Sequence, residues 1–114
     1  MVIGTLSILP PPNRRVEVLE ILRSIQGPVA TQRGCTACHI YEEDGPEAVI
    51  VLVERWDTEA ALEAHLRSDH FRLLLGALEL SASPPEVCFD HVSNSEGLEL
   101  IERVRNCRAR TVRG

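Results

Sequence analysis

The side chains best suited to chemistry fall in two stretches. Cys35-Thr36-Ala37-Cys38-His39 has the spacing that attaches a c-type haem, and the run Val51 to Phe71 carries Glu54, Trp56, His65 and His70. Histidine changes charge near neutral pH, so His65 suits a base or a hydrogen-bond partner to a hydroxyl, and Trp56 suits a flat wall. Together they fit an aromatic diol or quinol, which must lose a proton before an electron passes to oxygen. Haem and zinc fit the other stretch less well. Haem attachment belongs to exported proteins, and residues 1–12 show no charged region followed by an apolar one. If 35–42 is a strand, Cys35 and Cys38 point to opposite faces and cannot clasp one haem edge or one metal. Cys88 and Cys107 are too scattered to complete a zinc site, so four reduced thiols and no metal are expected.

Several chemistries are excluded outright. Every base in the chain is Arg, which removes a lysine Schiff base and a P-loop lysine, and neither GxxxxGK[ST] nor GxGxxG occurs. No cofactor motif is present.

The elements that must position these residues can be read from periodicity. Residues 2–9 alternate as a first strand, with Val2, Gly4, Leu6 and Ile8 on one face, and Pro10-Pro11-Pro12 stops it. Asn13 is a plausible N-cap for a helix whose stripe is Val18, Ile21, Leu22 and Ile25, widened by Leu19 and ended or kinked at Gly27-Pro28. The turn Arg33-Gly34 leads into a second strand, 35–42. Glu43-Asp44-Gly45-Pro46 makes a hairpin to a third, 48–56. Asp57 or Thr58 starts a helix carrying Leu62, His65 and Leu66 on one stripe. Ser68-Asp69 interrupts, and Phe71, Leu74, Leu75 and Leu78 continue as another helix. Pro84-Pro85 precedes a fourth strand, 87–92, and 96–104 reads as a last helix.

Strand, helix, strand, strand, helix, strand is the ferredoxin-like split βαβ order. It implies an α+β fold with a four-stranded antiparallel sheet and helices on one face, plus one extra C-terminal helix. Residues 1–93 form that domain and 94–114 the helix and tail. In the third strand Val49, Val51 and Val53 alternate with Ile50 and Leu52, so both faces are apolar and the second face needs a cover. The economical cover is the same face of a second copy, a homodimer.

The chain has 114 residues, 44% of them hydrophobic and 25% charged, enough for one packed domain. Seventeen acids against twelve bases argue against nucleic acid as a partner. The bases are uneven: Arg103, Arg105, Arg108, Arg110 and Arg113 close the chain with no acid among them, so seven bases and seventeen acids precede Arg103, a formal −10. That end is either a basic tail for an anionic partner or a frayed terminus. The longest strictly apolar run is 48–53, far short of a bilayer span, so no membrane association and a cytoplasmic location are expected.

The string Val51-Leu52-Val53-Glu54-Arg55-Trp56-Asp57-Thr58, then Ala60-Ala61-Leu62-Glu63-Ala64-His65-Leu66-Arg67-Ser68-Asp69-His70-Phe71, with Arg33-Gly34-Cys35 before it, resembles the antibiotic biosynthesis monooxygenase domain family, including its small quinol monooxygenase members. The match runs from the first strand to about Val92. The resemblance implies a dimeric α+β barrel and oxidation of electron-rich rings with oxygen, without metal, flavin or other cofactor. It places a small aromatic or quinol between sheet and helices, with His65 and Trp56 catalytic and Leu52, Glu54, Leu62, His70 and Phe71 lining the substrate. The chain also departs from family patterns. Members that oxidise polycyclic phenols carry a polar strand residue and a tyrosine where Leu52 and Leu62 stand; haem-degrading relatives use a first-strand Asn that is missing here, a Trp where His65 stands and a His ligand at about the position of Leu75, so haem degradation is not expected. The alternative to an enzyme is a non-catalytic dimer that binds a small apolar ligand or a protein, since one fold hosts many functions.

Overall fold

The structure is a computed structural model that describes the backbone of residues 1–113 and the side chains of residues 1–106. Cys107, Arg108, Arg110 and Arg113 thus have their side chains outside the described residues. Strands β1 (Val2–Ile8), β2 (Cys35–Glu42), β3 (Ile50–Trp56) and β4 (Glu86–His91) form one antiparallel sheet in the order β2-β3-β1-β4. Helices α1 (Arg15–Ala30), α2 (Glu59–Leu66) and α3 (Asp69–Glu79) cover one face, and α4 (Leu98–Arg113) follows the sheet. This is the ferredoxin-like α+β fold read from the sequence, with the extra helix present.

Alternation decides what the sheet buries. Val2, Leu6 and Ile8 of β1 and Ile50, Leu52, Glu54 and Trp56 of β3 are all buried on the helix side. They meet Val18, Leu22, Ile25 and Val29 of α1 and Leu74, Ala77 and Leu78 of α3 in one core. The α3 stripe is therefore 74, 77 and 78; Leu75, expected on it, is 46% exposed.

Local differences from the sequence reading have physical causes. The proline run forms a short 3-10 turn, Pro12–Arg14, so α1 begins at Arg15 with no side-chain cap and Asn13 lies inside the turn. Gly27-Pro28 does not end α1: Pro28 forgoes the bond to the Ser24 carbonyl, but the helix runs on to Ala30 with Val29 buried in the core. β3 starts at Ile50 because Ala48 has a left-handed backbone, φ 53°. Leu98, Ile101 and Val104 of α4 are 66, 56 and 47% exposed, so this helix buries little against its own chain, and it runs on beyond Val104.

The largest correction concerns β2. Cys35 pairs with Trp56, but Ala37 pairs with Arg55, so Thr36 is an extra residue in a β-bulge. The bulge restores the parity of the strand. Cys35 and Cys38 both lie on the inner face, opposite Trp56 and Glu54, while Ala37, His39 and Tyr41 lie on the outer one. Cys35 therefore does not share a face with His39, and the expected opposition of the two cysteines is wrong. His39 is exposed on the far side of the sheet from both thiols. Among the described residues no group of three His, Cys, Asp or Glu side chains is placed to hold a metal.

Two small devices dock α2, which at eight residues would not persist alone. Thr58 caps it by accepting from the Ala61 N–H at 3.1 Å. Gly34, at φ +86°, lets the 31–34 turn run against its start, where Gly34 O accepts from Asp57 N–H at 2.8 Å. A Cβ at Gly34 would overlap Ala61 Cβ and stand 2.6 Å from Asp57 Oδ1. We expect Gly34→Ala to lower stability by roughly 2 kcal/mol or more, combining left-handed strain with overpacking. Urea unfolding of the variant against wild type measures it.

Candidate active site

Two elements bring the polar core together. Glu54 and Trp56 sit two positions apart on the inner face of β3, and His65 sits on the buried stripe of α2, one turn after Leu62. All three are sealed: Glu54 and Trp56 have 0% exposure and His65 1%. Glu54 Oε2 stands 2.7 Å from His65 Nε2. It lies off the direction in which a ring N–H would point, so the contact is a close electrostatic one and leaves both Glu54 oxygens, His65 Nε2 and the Trp56 indole N–H without an aligned hydrogen-bond partner. A buried acid on an apolar face needs such a counterpart, and the sequence alone did not reveal it.

The imidazole is held from every side. Its Nδ1 is 3.0 Å from Gln32 Oε1, and Gln32 Nε2 is 3.4 Å from His70 Nδ1. A carboxamide oxygen only accepts, so His65 Nδ1 donates to it, while the Gln32 amide group donates to His70. Trp56 stacks on the imidazole with ring centroids 4.6 Å apart and planes 25° apart, and Phe71 presents an edge contact at 5.4 Å and 74°.

Of the residues expected at the site, Glu54, Trp56, His65, His70 and Phe71 meet in this cluster. Leu52 and Leu62 lie in the core on the same strand face and helix stripe, both buried. Gln32 was not among the expected residues. Its only sequence signal is its place in the turn just before Gly34, where the chain approaches α2. Gln32, Cys35, His70 and Phe71 are half-buried and form the rim of the sealed cluster.

Two clefts lie elsewhere. One of about 380 Å³ borders the site, lined by Arg33, Gly34, Asp57, Ala61 and Ala64. The other, about 290 Å³ and lined by Glu43, Glu47 and Glu86, is at the opposite end of the sheet. Neither reaches Trp56, His65 or Glu54, so the core residues are packed against each other and not around an open pocket.

The inner-face thiols respond to this environment. Burial first, then the Glu54 carboxylate, pushes Cys38 up to about 12, and burial likewise raises Cys35. Neither is a ready nucleophile at neutral pH.

The profile of the family described as Antibiotic biosynthesis monooxygenase matches residues 1–74, well over half of the chain. The chain belongs to this family. Among curated relatives, YcnE of Bacillus subtilis (strain 168) is 29% identical over 77 residues, 67% of this chain and 81% of YcnE. Among solved structures, Rv0793 from Mycobacterium tuberculosis superposes with a TM-score of 0.74 at 24% identity, over 84% of this chain and 98% of that one. A Deinococcus radiodurans protein gives 0.76 at 15% identity, over 85% and 97%. In this antibiotic biosynthesis monooxygenase domain both the Glu54/Trp56 strand and the His65 helix fall within the matched residues.

Two outcomes check the site. Removing one member of a buried pair leaves the other uncompensated, so Glu54→Leu and His65→Leu should each cost about 3–5 kcal/mol, whereas the double variant should recover most of that loss. Chemical denaturation of the three proteins completes the cycle. A thiol reagent at pH 8 should leave Cys38 unmodified in the folded protein, and peptide mapping after quenching reads it.

Proposed function

We propose that this protein is a cofactor-independent monooxygenase or oxidase of a small quinol or related aromatic, bound between sheet and helices. The observation that carries the reading is the sealed Glu54–His65 contact stacked against Trp56, inside a domain of this family. Folding gains nothing obvious from burying an acid and an imidazole with unaligned polar atoms. Each unpaired buried group costs on the order of 1–3 kcal/mol, and such costs concentrate where a site works. A proton acceptor beside an aromatic wall, away from water, meets the need of a quinol that must ionise before reducing oxygen. Substrate enters at the half-buried rim of Gln32, His70 and Phe71.

We infer also that the protein works as a homodimer joined through the outer face of the sheet. Ile3, Thr5, Val51 and Val53 lie there, half-buried, and no described helix of the chain covers them. Val51→Glu with Val53→Glu should give a monomer by light scattering, while wild type should have twice that mass.

Oxygen uptake tests the enzyme. Purified, metal-free protein should consume oxygen above autoxidation with at least one reduced naphthoquinol or polyphenol, and Trp56→Leu should lower the rate at least tenfold. A dimer that binds such rings tightly without consuming oxygen across the panel would replace the enzyme by a ligand-binding module.

A further inference from the structure

The imidazole at the centre of the site has no free direction. Its Nδ1 is committed to Gln32 Oε1 at 3.0 Å, its Nε2 faces Glu54 Oε2 at 2.7 Å, one ring face is stacked on Trp56, and Phe71 presses against it edge-on. Glu54 and His65 are equally sealed, so a substrate hydroxyl must part the rim of Gln32, His70 and Phe71 to reach either; at a ring nitrogen it must also displace a contact already made. Glu54 differs. Its Oε1 is fully buried and touches no hydrogen-bond partner, and two positions along the same strand face the Trp56 indole N–H is also buried and unpaired. At about 3.3 Å per residue these two groups lie roughly 7 Å apart along β3, an acceptor and a donor on one face of one strand.

We propose that Glu54, not His65, takes the substrate proton, and that His65 and Gln32 are positioning residues that hold the carboxylate. This rests on the quinol oxidation proposed above. In the step, the quinol O–H bond breaks, an O–H bond forms at Glu54 Oε1, and the electron pair stays on the substrate oxygen. His65 keeps its Nδ1 proton on Gln32 Oε1 and its Nε2 against Glu54 Oε2, and so holds the carboxylate in place during the step. In this step Glu54 acts as a carboxylate, and the negative charge moves from it to the substrate oxygen without a net change in the site. The one-electron transfer to oxygen follows from the aryloxide.

The test compares full-length wild type, Glu54→Gln and Gln32→Leu over a series of ring-substituted hydroquinones of graded hydroxyl acidity, with oxygen uptake as the readout. Glu54→Gln keeps the shape of the side chain and removes its basicity. Its kcat should fall 10²- to 10⁴-fold on the least acidic hydroquinone with KM little changed, and the deficit should shrink steadily as the hydroxyl becomes acidic enough to ionise unaided. A merely structural role would depress all substrates alike. Gln32→Leu should lower kcat by a smaller factor that is the same for every substrate. Wild-type turnover that survives Glu54→Gln, or a Glu54→Gln deficit independent of substrate acidity, would overturn the assignment while leaving the oxidase intact. Absence of turnover by wild type with every hydroquinone would remove the oxidase itself and this step with it.

Discussion

The contact between Glu54 and His65 is the constraint around which the helix face of the sheet is arranged. An acid and an imidazole, both withdrawn from water, are tolerated only because each compensates the other. That requirement helps fix α2 over the end of β3, where α2 fully buries only Leu62 and His65 and packs Ala61 and Leu66 in part. Burial of one leucine contributes roughly 1.5–3 kcal/mol, and a helix of two turns needs more than that to stay docked. The Thr58 cap, the Gly34 approach and the Gln32 bond all act at this same point.

From that constraint the chemistry follows by geometry. Stacking on Trp56 fixes the plane of the imidazole, donation to Gln32 commits one ring nitrogen, and the carboxylate is left with an oxygen that none of the described residues satisfies. Membership in the antibiotic biosynthesis monooxygenase family points to monooxygenase chemistry, and in the reading proposed above Glu54 is its proton acceptor in a dry core. The same burial keeps the Cys38 thiol protonated at neutral pH as part of the core.

Much of this was legible in the sequence where a single physical rule dominates. Period-two alternation gave both faces of β1 and β3, and it placed Glu54 and Trp56 together on the inner one; helical spacing put His65 opposite them. The need of Glu54 for a partner was also visible, but not which partner, because that depends on how α2 crosses the sheet. Parity failed at Thr36. A bulge adds one residue without any composition signal, and it moved Cys35 to the opposite face from the one alternation assigns. Gln32 was invisible for a similar reason: a turn residue acquires its role only when Gly34 folds the chain against α2. Asn13 shows the limit of capping rules, since three prolines before it already set the backbone.

The central claim is that Gln32 and Glu54 hold His65 from its two nitrogens. A histidine-selective ¹⁵N spectrum, with His65 assigned by comparison with a His65 variant, tests it most directly. The account predicts a proton on Nδ1, lost from that position or exchanging freely in Gln32→Leu. An unprotonated Nδ1 in wild type would contradict it, because Gln32 would then be donating to the imidazole and the path from His70 to Glu54 would run the other way.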